Sequence, residues 1–184
     1  IFTRRGIQIE NYPAVLNYLE SNRERLEPKP DDWPKGRKWP GRKPGTYKWY
    51  EIQDSVDYWE GFEETKIVWP DISKLPRFSM DMERRYLGNT CYIIPGGDYF
   101  LLGVLSSWAS WFYISKTAQP LRLRGDRWQY RLIAQFMANI PIPDAEPNER
   151  HAIAALAERS SALGLDRYRL QTDVQNRLRK SFGE

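Results

Sequence analysis

The chain has 184 residues, of which 41% are hydrophobic and 28% charged, and its net charge is +4 at pH 7. This size and balance favour one folded domain with its own core and argue against wholesale disorder. A single cysteine, Cys91, and a single histidine, His151, exclude an internal disulfide, a cysteine-based zinc cluster and a Cys–His nucleophile pair. Eight Trp, eleven Tyr and seven Phe form an aromatic set too large to be buried completely in so small a domain.

The sequence contains neither an apolar run of membrane-spanning length nor a signal-peptide pattern. We therefore expect a cytoplasmic protein without membrane contact. The first residues, Ile1 to Arg5, have the character of the middle of a longer protein, so we expect this chain to be a fragment.

The N-terminal third begins with a predicted helix. Asn11 is the expected N-cap, Pro13 fits the first turn, and apolar residues recur at helical spacing to about Leu26. Five prolines and three glycines then forbid regular structure until about Thr46. A loop of this length is either functional or disordered.

Within that loop the charges separate into blocks. From Lys35 to Lys48 there are six Lys or Arg and no acid, whereas Glu51 to Thr65 contains six Asp or Glu and no Lys or Arg. Cations interleaved with aromatic rings are typical of a nucleic-acid surface, because the cations neutralise phosphates and the rings lie against sugars and bases. An ordinary solvated loop with inward-facing aromatics is the alternative, and composition leaves both open. The candidate DNA-binding residues are Lys35, Arg37, Lys38, Trp39, Arg42, Lys43, Lys48 and Trp49.

The middle of the chain alternates short strands and loops. A short strand is predicted over Tyr47–Ile52 and a short amphipathic helix over Asp54–Glu64. The β-branched and aromatic segments Lys66–Trp69 and Thr90–Ile94 predict two further strands.

Helices dominate the predicted C-terminal half. Asp98 is a good N-cap for Tyr99–Ile114, which is apolar on nearly every side and is therefore predicted to be the central buried helix. Asp126 is predicted to cap a further helix that ends at Asn139, and Pro147 to open the last one. The elements together predict an α+β fold: a small mixed or antiparallel sheet wrapped by helices, with a helical C-terminal extension. We expect the main domain at 1–163 and the helical linker or extension at 164–184, where Gly164 can break the helix.

A second basic segment lies at residues 116–131, where five Lys or Arg face the single acid Asp126. The planar fork of arginine can grip guanine O6 and N7, and a glutamine can address adenine. A solvated basic face is the alternative. The candidate DNA-binding residues here are Arg122, Arg124, Arg127, Trp128 and Gln129.

Two other functions stay open on the residues alone. Divalent-metal nucleases place an acid ahead of Glu-x-Lys, and here Glu64-Thr-Lys66 follows Asp54 and Asp57. This pattern is common by chance, so it is the weaker alternative. The aromatic residues would also suit a protein-interaction module, in which they act as hot spots.

Several segments in order resemble a known family. They are Trp49–Glu51, Asp57–Trp59, Lys66–Ser73, Asn89–Ile94, Leu101–Ser107 and Asn139–Pro143. Over roughly Tyr12 to Leu163 the chain resembles the TaqI-like C-terminal specificity domain. This is the target-recognition domain of adenine-specific DNA methyltransferases and of fused type IIG restriction-modification enzymes.

The resemblance implies double-stranded DNA as a partner and an upstream methyltransferase domain in the same polypeptide. S-adenosylmethionine and the catalytic Asn-Pro-Pro-Tyr motif would belong to that upstream domain. Neither this motif nor a cofactor-binding glycine loop is present here, so we expect no cofactor and no methyl transfer in this fragment. The resemblance also implies that the variable loops Lys35–Tyr47 and Leu121–Gln129 read bases. The parent protein is expected to methylate adenine, and whether it also cleaves DNA stays open.

Overall fold

The computed structural model of the chain describes residues 1–183. These form two compact units, Ile1–Trp59 and the part of the chain from Glu60 onwards. The fold is α+β, as predicted. Within residues 1–183, none of the helices is both long and apolar enough to cross a membrane.

The first unit contains two short helices, α1 (Pro13–Glu20) and α2 (Arg23–Leu26), in place of the single predicted helix. The break lies at Ser21 and Asn22, between the two helices. The hydroxyl of Ser21 and the side-chain amide of Asn22 both donate to the carbonyl of Tyr18, at 2.7 and 3.1 Å. These side-chain bonds compete with continuation of the helix.

The N-terminus of α1 also differs from the prediction. Pro13 occupies the first helical position as expected, but Tyr12 is the N-cap residue and makes no side-chain capping bond. Asn11 lies in the preceding 3₁₀ helix, Ile9–Asn11, so its prediction as the cap was wrong.

The segment after the basic loop is irregular rather than a strand followed by a helix. The predicted strand Tyr47–Ile52 is a turn, in which the backbone N–H of Glu51 donates to the carbonyl of Lys48 at 2.9 Å. The helix predicted over Asp54–Glu64 is reduced to the 3₁₀ helix Trp59–Glu63.

The second unit carries two three-stranded antiparallel sheets instead of one. The strands are β1 (Lys66–Pro70), β2 (Ile72–Ser73), β3 (Ser79–Asp81), β4 (Cys91–Pro95), β5 (Gln119–Arg124) and β6 (Arg127–Arg131). The first sheet has the order β3-β1-β4 and the second β2-β6-β5. The predicted strands at Lys66 and Thr90 are thus confirmed as β1 and β4.

Four further helices follow: α3 (Tyr99–Ser106), α4 (Trp108–Thr117), α5 (Ala134–Met137) and α6 (Pro147–Phe182). Asp98 caps α3 as predicted, since its carboxylate accepts from the backbone N–H of Leu101 at 2.7 Å. The predicted helix through Ile114 is interrupted at Ser107, whose hydroxyl oxygen accepts from the N–H of Ser110 at 3.1 Å and starts α4.

The core of the second unit lies where β1 meets α3, α4 and the segment after β6. Ile67 and Leu132 are fully buried, and the indole N–H of Trp69 donates to the carbonyl of Leu132 at 2.7 Å. Because this bond satisfies the polar end of the ring, Trp69 can be buried without an orphaned donor. It also fixes the end of β6 to the core.

The last helix, α6, begins at Pro147 as predicted and continues through Gly164 without a break. Its first half packs on α3 with Ala157 buried, whereas Leu156 and Leu163 are exposed. The domain boundary expected after residue 163 stays a prediction, although no interruption of the helix marks it.

Candidate nucleic-acid interface

The basic loop of the first unit is ordered, and Arg42 is the side chain that holds it. Its guanidinium donates to the carbonyls of Leu26, Glu51 and Trp49, each at 2.7 Å, with a longer bond to Lys48. The backbones of Arg42 and the end of α2 are also joined, through bonds from Arg42 to Glu27 and from Lys29 to Arg42. Arg42 therefore serves the scaffold of the loop, and its guanidinium has little capacity left for a phosphate.

A buried carboxylate fixes the other side of the same loop. Glu51 is 5% exposed and accepts from the backbone N–H groups of Lys48 and Gly6, both at 2.8 Å. Burial by itself would raise the pKa of Glu51, but these two N–H groups favour the charged form, and the pKa is lowered overall. The anion ties the chain's first residues to the end of the basic loop.

The tryptophans of the loop turn towards their own backbone. Trp33 and Trp39 meet edge to face with ring centroids 4.6 Å apart, and the indole N–H of Trp39 donates to the carbonyl of Glu27 at 3.0 Å. Gly41 makes this approach possible: a Cβ there would lie 2.3 Å from the Glu27 carbonyl oxygen. Trp49 is half-buried and stacks under the Arg23 guanidinium, 4.8 Å from its ring centroid.

The remaining cations of the loop point into solvent. Lys35, Arg37, Lys38 and Lys43 are exposed, and within residues 1–183 their charged ends have no hydrogen-bond or ion-pair partner. Lys48 is also exposed, with its ammonium 5.5 Å from the centroid of Tyr50. The structure thus separates the predicted residues of this loop into scaffold and exposed charge.

In the second unit the other basic segment is a β-hairpin. The helix predicted from Asp126 to Asn139 was therefore wrong over the strand β6, and only α5 (Ala134–Met137) within that range is helical. Strands β5 and β6 are joined by the two-residue loop Gly125–Asp126, and Arg124 pairs with Arg127 across its mouth. Gly125 has a φ of +70°, and such a left-handed first residue fits the tight turns of two-residue hairpins.

The register gives the hairpin two chemically different faces. Arg122 pairs with Gln129 and Arg124 with Arg127, which places these four polar side chains on one face. Leu123 pairs with Trp128 on the other face, where both side chains are largely exposed, at 57% and 48%. All five candidate residues of this segment therefore lie on one ribbon, four on its polar face and Trp128 on its apolar face.

The polar face is partly preorganised. The Nε of Arg122 donates to Oε1 of Gln129 at 2.8 Å, which fixes both side chains across the strands. Arg127 lies 3.8 Å from the exposed carboxylate of Asp126. The guanidinium of Arg124 has no partner within residues 1–183, so the tip of the hairpin presents a free planar donor.

The base of the hairpin is fixed to the core. Strand β2 pairs with β6, and Tyr130 packs edge to face on the buried Trp111 at 5.8 Å. The ammonium of Lys74 donates to the carbonyl of Arg124, which supports the tip. Sequence reasoning missed Lys74, because its position beside the hairpin depends on the pairing of β2 with β6.

The nuclease interpretation receives no support from the surroundings of Lys66. Its ammonium is fully buried, 2.8 Å from the carboxylate of Asp81 and 2.9 Å from the carbonyl of Phe62. It is therefore committed to a structural ion pair and cannot assist an attacking water molecule. Within residues 1–183, no group of three or more His, Cys, Asp or Glu side chains is arranged to hold a metal ion.

Two comparisons with known proteins bear on these surfaces. The family model described as the TaqI-like C-terminal specificity domain matches residues 6–142. The chain is also 30% identical, over 154 residues, to the type II methyltransferase M.BanIII of Aneurinibacillus aneurinilyticus. That alignment covers 79% of this chain and 24% of the relative, so the chain spans about a quarter of the length of the relative it matches.

Proposed function

We propose, since this chain belongs to the family of TaqI-like C-terminal specificity domains, that it recognises a short sequence in double-stranded DNA for a restriction-modification methyltransferase. The observation that carries this proposal is the exposed hairpin β5–β6 with its arginine and glutamine face. A two-stranded ribbon fits the major groove of B-DNA, where base edges carry a distinct pattern of donors and acceptors.

On this hairpin Arg124 and Arg127 would be the leading base readers. They pair at the tip, where a ribbon entering a groove goes deepest, and both are exposed. Arginine contacts guanine through O6 and N7 in the commonest specific pairing. Arg122 and Gln129 would contact base edges together, as a hydrogen-bonded pair. Trp128 would lie against the duplex from the apolar face.

The basic loop of the first unit would supply affinity rather than sequence information. Its exposed cations suit phosphates, whose contacts position a protein on the duplex. These residues are Lys35, Arg37, Lys38, Lys43 and Lys48. Arg42, Trp39 and Trp49 would contribute indirectly, because they hold the loop that carries these charges.

The methyl-transfer chemistry would belong to an upstream methyltransferase domain in the same polypeptide, with adenine as the modified base and S-adenosylmethionine as its cofactor. The relative named for methyltransferase activity is about four times as long as the aligned part, which leaves room for such a domain there. The Glu64-x-Lys66 pattern would supply no nuclease chemistry, because Lys66 is committed to Asp81.

The test is fluorescence-anisotropy binding of the chain to a random duplex pool at about 50 and 200 mM salt. We expect affinity to fall steeply with salt, because phosphate contacts release counterions. Selection from the pool should then enrich one short sequence. The double variant Arg124→Ala/Arg127→Ala should lose that enrichment, whereas the control Arg177→Ala, on exposed α6, should keep it.

Salt-independent binding, or enrichment that survives the double variant, would contradict the proposal. If the chain bound DNA at neither salt concentration, the other candidate function, a protein-interaction module, would be favoured. The exposed aromatic residues of the second unit would then be its contact surface.

A further inference from the structure

An aromatic groove lies beside the hairpin, between its apolar face and helix α4. It has a volume of about 490 Å³, within the range of roughly 300–1,000 Å³ typical of sites for small ligands. Its walls include Trp108, Phe112 and Trp128, which are 69%, 65% and 48% exposed. These three large rings form one contiguous exposed aromatic patch rather than scattered surface residues.

The floor of this groove is rigid. It is formed by Trp111, which is 8% exposed, and by Tyr130, and these rings meet edge to face at 5.8 Å. The floor belongs to the packed core, whereas the walls do not. The rings at the walls are therefore available to a ligand without rearrangement of the fold.

The rim of the groove is cationic. Lys74 and Arg127 line it, and the ammonium of Lys116 lies 5.3 Å from the ring centroid of Phe112. Covering these cations with an apolar protein surface would remove their water without supplying a partner, which is costly. An occupant that brings negative charge together with a flat apolar ring avoids this cost. A nucleotide has both features.

We propose that this groove binds one unpaired nucleobase of DNA, stacked against Trp108 and Phe112, with a flanking phosphate at Lys74. The inference rests on the proposed function, and the continuity of the hairpin supports it. Arg127 lies on the polar face that we assign to duplex recognition, and the adjacent Trp128 lies on the face that lines the groove. A base leaving the helix beside the hairpin would meet aromatic rings at once.

The experiment compares two duplexes of the same sequence, one fully paired and one carrying a single unpaired 2-aminopurine. The fluorescence of 2-aminopurine is quenched when it stacks on an aromatic ring. We expect the chain to bind the duplex with the unpaired base about tenfold more tightly, since stacking on an aromatic side chain contributes on this scale. We also expect the emission of the unpaired base to fall when the protein is added.

Three variants assign these effects to the groove. Trp108→Ala and Phe112→Ala should remove the preference and restore the emission, and Trp108→Phe should keep most of both because a ring remains. The matched control is Tyr168→Ala, which removes an equally exposed ring from α6 outside the groove. It should leave both readouts unchanged.

Equal, salt-dependent affinity for the two duplexes would overturn the inference while leaving DNA recognition intact. So would a preference that survives Trp108→Ala and Phe112→Ala, since the base would then be bound elsewhere. Failure to bind either duplex at low salt would instead contradict the proposed function, and the inference with it. The groove would then be assigned to a protein partner.

Discussion

The basic loop and the β5–β6 hairpin both concentrate Lys and Arg, but they are held in different ways. The loop contains no strand, and its course depends on side chains: Arg42 donates to three carbonyls in two separate segments, and Glu51 accepts from two backbone N–H groups. The hairpin is held by a backbone ladder, so its side chains can vary without loss of register. The comparison shows that two segments of similar charge can be held in place by different means.

This difference decides what each surface can do. Exposed lysines on an irregular loop have no common spacing. Such an arrangement would be sufficient for contact with phosphates but not for reading bases. The hairpin places Arg124 opposite Arg127 and Arg122 opposite Gln129 at the fixed spacing of paired strands. Base recognition needs this fixed spacing, because a donor must meet one base edge and not its neighbour.

The largest effect should come from removing the scaffold of the loop. Arg42→Ala leaves carbonyls of Leu26, Trp49 and Glu51 without their donor. We expect a loss of about 2–3 kcal/mol in the free energy of unfolding, the scale of hydrogen bonds to a charged group. Urea denaturation followed by tryptophan fluorescence measures it. Arg37→Ala, an exposed cation of the same loop, is the control and should cost less than about 0.5 kcal/mol.

A cost for Arg42→Ala no larger than that for Arg37→Ala would mean that the loop is held mainly by its tryptophans. The contrast between a loop fixed by side chains and a ribbon fixed by its backbone would remain. The side chains that fix the loop would then be Trp33 and Trp39, through their ring contact, and not Arg42.

The hairpin should show the next effect, in specificity rather than stability. Arg124→Ala should cost about 1–3 kcal/mol of binding to the selected sequence and relax the preference at one base position. Stability should be unchanged, because no contact of its guanidinium is lost within residues 1–183. Competition binding against single-base variants of the site measures this change. If every sequence weakened alike, Arg124 would be a phosphate contact and the two surfaces would have the same role.

The exposed lysines of the loop should give a smaller and uniform effect. Replacing Lys35, Lys38 and Lys43 one at a time should weaken all duplexes equally. Each loss should reduce the slope of log affinity against log salt by about one. Binding titrations at four salt concentrations provide the slope. A change in the order of preferred sequences would assign base reading to the loop as well.

Local chemistry was enough to predict several elements. Asp98 caps α3, Pro147 opens α6 and the β-branched strand at Lys66 forms, because each depends on a few neighbouring residues. The exposed charge of the loop was also predictable, since lysines seldom find buried partners. The scaffold role of Arg42 was not, because its acceptors come from a helix end and a turn separated from it in sequence.

The hairpin shows how two patterns can compete for one segment. Tyr130, Ile133 and Met137 fit helical spacing, which led to the wrong helix. The residues before them alternate polar and apolar around Gly125-Asp126, a stronger signal for a two-residue hairpin.

The predicted helix Tyr99–Ile114 gives a second example. Because this segment is apolar on nearly every side, its sequence predicted burial for Trp108 and Phe112. The break at Ser107 instead leaves both exposed.

The smallest effect is expected from pH, and it should separate the two surfaces. The pKa of Glu51 is lowered in the folded protein, so its contribution to stability is present above the unfolded pKa, about 4.3. That contribution is lost as pH falls through the lowered folded value. Asp81 in the second unit has a lowered pKa too, so the comparison needs Glu51→Gln.

The stability difference between the natural chain and Glu51→Gln should be constant near pH 7 and shrink below about pH 5. Urea denaturation across this range measures it, with the exposed Glu10→Gln as control. A difference that stays constant down to pH 3 would mean that Glu51 contributes through packing and not through its charge. Because Glu51 holds the basic loop, its protonation should weaken the hold on the loop and, with it, the phosphate contacts proposed there.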